Sequence, residues 1–519
     1  MDSQKLRTII IAVVGIIAAL YLGITAATAQ VETVMWVLGS LTIIACFLLG
    51  RKIWLLIPFL GAVSLSFRIP GQPDTLLIAQ ILVVGFSGLM LLMRRLPFRF
   101  IFSELEIWGL ILTLMVIQVY VRNPVGIMVF GGDSVGGKPY VIFAISLVTA
   151  IILSGMQVPP GELKTALRLS ILGGLINFGA STIGKFVPTV GYYLGSSYVD
   201  TRVADYSDFG TQVDSGAATR DGSLMALATN LSLWVSSFKS PLLACFHPLF
   251  AILVLASIAA AGFSGFRNTF VTVGLTFFLG VCYRGGFTQV IISCFVGMLF
   301  LAGLAATNAL VPLPPNIQRS LAFLPGTWEE RYVEDGKQST EWRVEVWKEV
   351  LLTDRWIQNK WVGDGLGFSA SLLAGQMNQR QGASAGTSGF EGHRQSILVS
   401  GDYHSGPVQT IRTIGYFGLF VLICAQIRLA VHAHRQIQRC RNTEWFPVAL
   451  LIGIPLIINP IFFIFIYGTF KVATTTLLLG IAMIRLLQTN LPLPAYGGSN
   501  QMQSPVPNHL PRAKQGMHV

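Results

Sequence analysis

The chain has 519 residues, of which 53% are hydrophobic and only 12% charged, and its formal net charge is +12. Its mean hydropathy of +0.63 excludes an ordinary soluble domain, because a soluble protein of this size does not need so much apolar surface to fill its core. The positive charge lies mainly between apolar segments, so it indicates membrane orientation and argues against nucleic acid as a partner.

Apolar segments follow one another along most of the chain. A helix that spans a membrane needs ~20 mainly apolar residues, and about fourteen segments approach that pattern: 8–28, 33–50, 53–67, 75–93, 106–121, 139–156, 167–187, 222–238, 241–262, 268–283, 288–307, 407–430, 446–463 and 467–487. The first is longer than the apolar region of a cleavable signal peptide, so it is expected to remain. The sequence therefore predicts an all-α polytopic membrane protein with about 12–14 transmembrane helices, surrounded by membrane lipids.

Basic residues fall at alternate ends of the predicted spans: Lys5/Arg7, Arg51/Lys52, Arg94/Arg95/Arg99, Lys164/Arg168, Lys239, Arg284 and the cluster from Arg428 to Arg441. The positive-inside rule places those loops and both termini in the cytoplasm. The predicted organisation is 1–220 (N-terminal helices with an acidic outer loop, 189–221), 221–307 (central helices), 308–406 (a large outer loop), 407–487 (C-terminal helices) and 488–519 (a disordered cytoplasmic tail).

Residues 263–268 form a predicted turn between two spans on the outer side. Arg267 in this turn runs against the positive-inside rule, which indicates an anionic ligand. The acidic loop 189–221, with Asp200, Asp205, Asp208, Asp214 and Asp221, and the glycine-rich turn with Asp133 leave a metal site open, although solvated loops are favoured. The six cysteines lie in or beside predicted spans and show neither a disulfide framework nor metal-site spacing.

The large outer loop contains one clear amphipathic helix, Thr340 to Leu352. Trp342, Val346 and Val350 share one stripe of this helix, which is predicted to lie on the membrane surface or to cover a cleft. Arg343 and Trp347 share another stripe, and the alternative to a functional role for Arg343 is a cation–π pair on a solvated face.

Two further features of the loop are a glycine-rich segment and a histidine at its end. The glycines at 363, 365 and 367 favour a turn over a phosphate cradle. His404 directly precedes a predicted span, where an imidazole can accept or donate a proton near neutral pH. The alternative for His404 is a boundary histidine bonded to backbone, and His393 is assigned to solvated loop.

These residues carry a resemblance to a known family. His404-Ser405, nine residues and Gly415-Tyr416-Phe417-Gly418 together resemble the His-[Asn/Ser/Gln]-x9-Gly-x-x-[Gly/Thr/Tyr] signature of the O-antigen ligase family. Ser264-Gly265-Phe266-Arg267 is similar to that family's Ser-x-x-Arg turn. Arg343-x-x-x-Trp347 followed by Gly363-x-Gly365-x-Gly367 is similar to its loop pattern. The match covers about residues 220 to 430.

The resemblance implies a GT-C-like helical bundle in the bacterial inner membrane. It implies a glycosyltransferase that moves a glycan from a polyprenyl (undecaprenyl) diphosphate carrier to a lipid or glycan acceptor on the periplasmic face, with inversion and without metal or cofactor. The implied catalytic residues are Arg267 and Arg343, which would bind the diphosphate, and His404, the general base. The implied substrate-binding residues are Trp347, Ser405 and Arg412.

Several other functions stay open on the same scaffold. A polysaccharide polymerase or a protein O-oligosaccharyltransferase would differ only in its acceptor. The non-enzymatic alternative is a flippase or transporter of lipid-linked glycans, which should carry charges inside the membrane. Lys185 and Arg412 are the main charges within the predicted spans, and both lie near span ends.

Overall fold

The computed structural model describes residues 40, 42, 44–67, 73–126, 136–187, 194–196, 220–367, 397–398 and 400–491. The predictions for the span 8–28, for Asp133, for most of the acidic loop 189–221, for His393 and for the tail beyond residue 491 lie outside these ranges.

The described chain is mostly helical, as the sequence predicts. A 3₁₀ helix, Gly50–Leu55, precedes fifteen α-helices: α1 (Leu56–Val63), α2 (Thr75–Leu92), α3 (Glu104–Arg122), α4 (Lys138–Gly155), α5 (Pro160–Phe186), α6 (Gly222–Phe238), α7 (Pro241–Ala244), α8 (Pro248–Phe263), α9 (Arg267–Arg284), α10 (Phe287–Leu310), α11 (Pro315–Leu321), α12 (Glu330–Leu352), α13 (Gly406–Cys440), α14 (Phe446–Phe465) and α15 (Phe470–Asn490). Two short strands, β1 (Leu65–Phe67) and β2 (Leu194–Ser196), pair antiparallel, with Leu65 opposite Ser196.

Within the described ranges, nine helical stretches are long and apolar enough to cross a membrane. This supports a multi-pass membrane protein, but the number is smaller than the twelve to fourteen predicted. The predicted spans 33–50 and 53–67 contribute one stretch, Ile44–Val63. The spans predicted at 222–238, 241–262 and 268–283 are helices that fall outside the nine: α6 and α8 have only 17 and 16 residues, and α9 has an arginine at each end.

The main core lies where α13, α14 and α15 pack together. Helix α13 packs on α3, α14 and α15, while α15 also packs on α4. Their buried side chains form one hydrophobic cluster that extends into α2 and α5. Outside this cluster, many large apolar side chains are exposed, as expected where lipid is the solvent; examples are Phe47, Leu92, Leu255, Phe287, Phe295, Met298 and Phe420.

Several basic loops meet near the C-terminal end of α13, which is the end away from His404, and ionic and aromatic contacts hold them there. Lys164 Nζ lies 2.6 Å from Glu444 Oε2 and 4.7 Å from the centroid of a Trp445 ring. Arg284 lies over the neighbouring Phe446 ring at 4.8 Å. The part of α13 after Gly415, residues 416–440, is about 37 Å long, so it can separate this basic end from His404 by a full bilayer thickness.

Labelling from the two sides of the membrane tests this topology. We expect cysteines at Glu341 and Arg441, both exposed positions, to react with an impermeant maleimide from opposite sides, in a variant that lacks the six native cysteines. Glu341 should react from outside, because positive charge is retained on the cytoplasmic side. Labelling of both positions from one side would overturn the orientation and the outer location of His404.

Helix α13 is interrupted at Gly415, which has φ 76° and ψ −179°. The break removes helical partners from backbone groups around it, and within a membrane such groups must find partners in the protein. Residues 360–365 of the large loop supply these partners. The four hydrogen bonds run from Asp364 N to Arg412 O (2.7 Å), from Gly365 N to Thr413 O (3.1 Å), from Tyr416 N to Lys360 O (2.8 Å) and from Phe417 N to Trp361 O (3.3 Å).

The glycine-rich segment is therefore a turn, as predicted, and its role is to approach α13 closely. Gly363 has φ +81°, and a Cβ there would lie 2.5 Å from the backbone nitrogen of Ile414. The side chain of Asp364 accepts from the backbone N–H groups of Gln358 and Asn359 (2.7 and 2.9 Å), which closes the turn. Arg122 donates from α3 to the Gly363 carbonyl (2.7 Å).

Replacing Gly415 with alanine is expected to destabilise the protein by several kcal/mol. A Cβ at Gly415 would lie 2.2 Å from the Trp361 carbonyl oxygen, and a left-handed conformation costs a further ~1–2 kcal/mol with a side chain. The matched control is Gly303→Ala in α10, where a Cβ meets nothing within 4 Å. Thermal unfolding in detergent measures both, and equal melting temperatures would contradict the structural role of the break.

Candidate active site

The turn that carries Arg267 connects α8 and α9. Gly265 takes φ +69°, and the Ser264 hydroxyl donates to the Ala261 carbonyl (2.8 Å) and accepts from the Phe266 N–H (3.3 Å). Arg267 is then the first residue of α9. The predicted turn between two helices is confirmed, and Ser264 acts within it by fixing the backbone.

Arg267 lies against the large loop in an ionic cluster. Its Nη2 donates to Asp335 Oδ2 (3.1 Å) and its Nε to the Arg319 carbonyl (3.3 Å). Arg319 also binds Asp335, from Nε to Oδ2 at 3.2 Å and from Nη2 to Oδ1 at 3.3 Å. Gly336 makes room for the guanidinium of Arg267, because a Cβ at Gly336 would lie 2.5 Å from Nη1. One carboxylate is thus shared by two arginines.

Arg343 lies on α12, and the predicted stripe of Trp342, Val346 and Val350 is buried there, as expected. The side chain of Arg343 is half-buried, and its buried Nε has no hydrogen-bond partner among the described residues. Burial lowers its pKa, yet a guanidinium remains charged in proteins. The alternative interpretation, a cation–π pair on a solvated face, required an exposed Arg343, and the side chain is instead half-buried.

Trp347 connects α12 to the segment that contains His404. Its indole N–H donates to the carbonyl of Tyr403 at 2.9 Å. Tyr403 is 1% exposed, and burial raises its pKa to about 12. Its hydroxyl is therefore neutral, and its buried side chain fixes the backbone next to His404. His404 itself has φ 51°, a left-handed conformation that is uncommon outside glycine, although asparagine, aspartate and histidine adopt it more often than other residues. Residues in this conformation are often found at functional sites.

The ring of His404 lies between two aromatic side chains. Its centroid is 6.1 Å from that of Trp342 and 5.8 Å from that of Tyr467. Tyr467 is within electrostatic range of Arg343 and raises its pKa, against the larger effect of burial. Burial lowers the pKa of Arg267, and the charge of Arg343 lowers it further by repulsion, so these two arginines are also within electrostatic range. The three residues predicted as catalytic are thus linked through neighbouring groups at one end of the bundle.

Sequence reasoning missed three residues of this arrangement: Arg319, Asp335 and Tyr467. Arg319 carries the same signal as Arg267, a cation on the predicted outer side, and could have been found by it. Asp335 on α12 and Tyr467 in the loop between α14 and α15 carry no local signal, because only the packing of these elements on the rest of the fold brings them into place.

The structure gives Ser405 and Arg412 defined packing roles, and their predicted substrate binding stays a prediction. Ser405 is buried as the N-cap of α13, where its hydroxyl accepts from Val408 N at 3.5 Å. Arg412 is 6% exposed and lies against Gly401, whose added Cβ would meet its guanidinium carbon at 2.7 Å. Its electrostatic neighbours include Asp364 of the glycine-rich turn.

Two charged residues near the acidic loop are engaged with one another. Lys185 at the end of α5 pairs with Asp221, and Asp221 also accepts from the backbone of Ser223 (2.9 Å) at the start of α6. Asp221 is therefore a helix cap. Within the described ranges, no three His, Cys, Asp or Glu residues are grouped as metal ligands.

Comparison with models of known protein families finds no match, and a search of curated proteins finds none that is significantly similar. The resemblance to the O-antigen ligase family therefore depends on the motifs and on how their residues are arranged.

Proposed function

We propose that the chain is a membrane glycosyltransferase of the O-antigen ligase kind, which transfers a glycan from a polyprenyl diphosphate carrier to a lipid or glycan acceptor on the outer face of the inner membrane. One observation carries the proposal. Arg267, Arg343 and His404 come from three separate segments, yet Arg343 lies within electrostatic range of both Arg267 and Tyr467, and the ring centroid of Tyr467 lies 5.8 Å from that of His404.

The arginines suit a diphosphate leaving group. As the bond between the anomeric carbon and the phosphate oxygen breaks, negative charge grows on the diphosphate, and guanidinium groups bind it in two-pronged fashion without losing their charge. Among the described residues, the buried Nε of Arg343 has no hydrogen-bond partner. An anion that accepted from it would remove the penalty of a buried unpaired donor.

His404 suits the second half of the reaction. The acceptor oxygen forms a bond to the anomeric carbon from the face opposite the diphosphate, and its proton passes to a neutral imidazole nitrogen. Transfer therefore inverts the anomeric centre in a single displacement. The bond from Trp347 to the Tyr403 carbonyl holds the backbone next to His404, so Trp347 acts in this scheme as a positioning residue.

The charged residues favour this enzyme over the transporter alternative. Lys185 pairs with Asp221 at the ends of two helices, and Arg412 packs beside the turn that closes the break in α13. Both charges therefore have neighbours within the protein near helix ends, whereas a transporter would be expected to present charges at the middle of the membrane to bind its substrate.

Analysis of the cell's glycolipids with and without the gene tests the proposal. A ligase predicts loss of the capped lipid and accumulation of the carrier-linked glycan. Shortened polysaccharide with normal capping indicates a polymerase instead, and loss of protein-linked glycan alone indicates an oligosaccharyltransferase. Unchanged glycans in all three fractions would contradict a transfer function.

A further inference from the structure

A second layer of charge surrounds Arg267. The arginine shares Asp335 with Arg319, and Arg343 adds a third guanidinium within electrostatic range. Three arginines and one carboxylate give the cluster a formal charge of 3 − 1 = +2. The nearby carboxylate of Glu329 is engaged elsewhere, with Gln318 at 3.0 Å and Arg331 at 2.7 Å.

The shared carboxylate is the most accessible member of its ionic group. The side chain of Asp335 is 39% exposed, against 28% for Arg267 and 13% for Arg319. Its hydrogen bonds are 3.1 to 3.3 Å long, whereas charge-assisted bonds between guanidinium and oxyanion are commonly ~2.7–2.9 Å. A ligand oxyanion that approached from outside could make shorter bonds to the same donors.

We infer that Arg319 is a third anion-binding residue and that Asp335 is a resident counter-ion, whose contacts with Arg267 and Arg319 are replaced by the diphosphate when the donor binds. The inference deepens the proposed function and rests on it for the identity of the anion. Asp335 limits repulsion among the arginines in the free protein. The same carboxylate competes with the ligand, so it lowers the affinity of the site.

This exchange predicts opposite effects for the two residues. Asp335→Asn removes the competing charge and should bind inorganic pyrophosphate about 3- to 10-fold more tightly, while its melting temperature without ligand falls because the arginines repel one another. Arg319→Gln removes a two-pronged donor and should bind pyrophosphate at least ~10-fold more weakly. A residue with only a structural role would lower stability without raising affinity.

Thermal unfolding of the purified full chain, titrated with pyrophosphate, measures both quantities, and sulfate at equal ionic strength is the control anion. Asp354→Asn and Arg331→Gln are matched control variants, since each removes one partner of an exposed pair outside the shared group (Lys360–Asp354 at 2.5 Å; Arg331–Glu329 at 2.7 Å). Both should respond to pyrophosphate as the wild type does. Arg319→Lys, which keeps the charge, gives a second variant if Arg319→Gln does not fold.

Weaker pyrophosphate binding by Asp335→Asn, or wild-type binding by Arg319→Gln or Arg319→Lys, would overturn the inference. An equal response of the wild type to sulfate and pyrophosphate would also overturn it. The assay contains no glycan, so its outcome is separate from the proposed function. If the chain shows the exchange but transfers no glycan, the counter-ion role of Asp335 is supported and the proposed transferase function is wrong.

Discussion

His404→Asn is expected to lower turnover by ~10²–10⁴-fold while the protein stays folded. Asparagine accepts the left-handed conformation of residue 404, φ 51°, better than most residues, so the change removes the basic nitrogen with little added strain. Acceptor binding should change less than turnover, because the proton is transferred only as the new bond forms.

The matched control for this variant is His434→Asn. His434 is exposed near the other end of α13, where its Nδ1 lies 2.7 Å from the hydroxyl of Tyr283, so its loss should leave the rate unchanged. Wild-type activity should fall as the solution becomes acidic enough to protonate imidazole, since a protonated ring cannot accept the proton. The residual activity of His404→Asn should lack this pH dependence. Wild-type turnover in His404→Asn would remove the general-base role.

Arg343→Ala and Arg267→Ala are each expected to lower turnover by ~10²–10³-fold, or about 3–4 kcal/mol of transition-state stabilisation. Each loses a donor to the departing diphosphate. Lysine at either position should restore only part of the rate, because it keeps the charge but not the two-pronged geometry. Steady-state kinetics of the four variants, with Arg331→Ala as the control, measures these losses.

Stability should separate the two alanine variants. Arg267 bonds to Asp335 and to two backbone carbonyls, so Arg267→Ala should also lower the melting temperature. Arg343 has a buried Nε that no described residue binds, so Arg343→Ala removes an unfavourable burial and should leave stability unchanged or raised. Wild-type rates in both variants would return the arginines to a structural role.

The chelator response tests metal independence. The acidic loop, which includes Asp205 and Asp208, is the main alternative source of metal ligands in the sequence. We expect activity to survive a chelator, because guanidinium groups can supply the positive charge that the leaving diphosphate needs. Activity lost with chelator and restored by a divalent ion would assign that task to a metal.

Features set by local pattern could be predicted from the sequence. The stripe of Trp342, Val346 and Val350 faces the interior because residues four apart share one face of a helix. The turn before Arg267 and the start of α13 next to His404 follow from glycine and capping residues at those points. Each of these features depends on neighbours a few residues away.

Features set by packing between distant segments could not be predicted. The helix can be broken at Gly415 because the segment around Gly363 supplies the hydrogen bonds that the break removes. Tyr467, in the loop between α14 and α15, lies beside His404 because both of these helices pack on α13. The predicted number of spans stays a prediction, because hydropathy does not distinguish a helix of 16 or 17 residues, such as α8 or α6, from one long enough to cross the bilayer, and the predicted span 8–28 lies outside the described residues.

Cleavage of the carrier–glycan bond is the most direct test of the central claim. The purified chain in lipid nanodiscs is incubated with a polyprenyl diphosphate-linked glycan and candidate acceptors, and free polyprenyl diphosphate and inverted glycosyl product are measured together. The account predicts equal amounts of both from the wild type, and at least ~10²-fold less of each in the same time from His404→Asn. An intact donor with every acceptor class, or cleavage at the wild-type rate in His404→Asn, would contradict it.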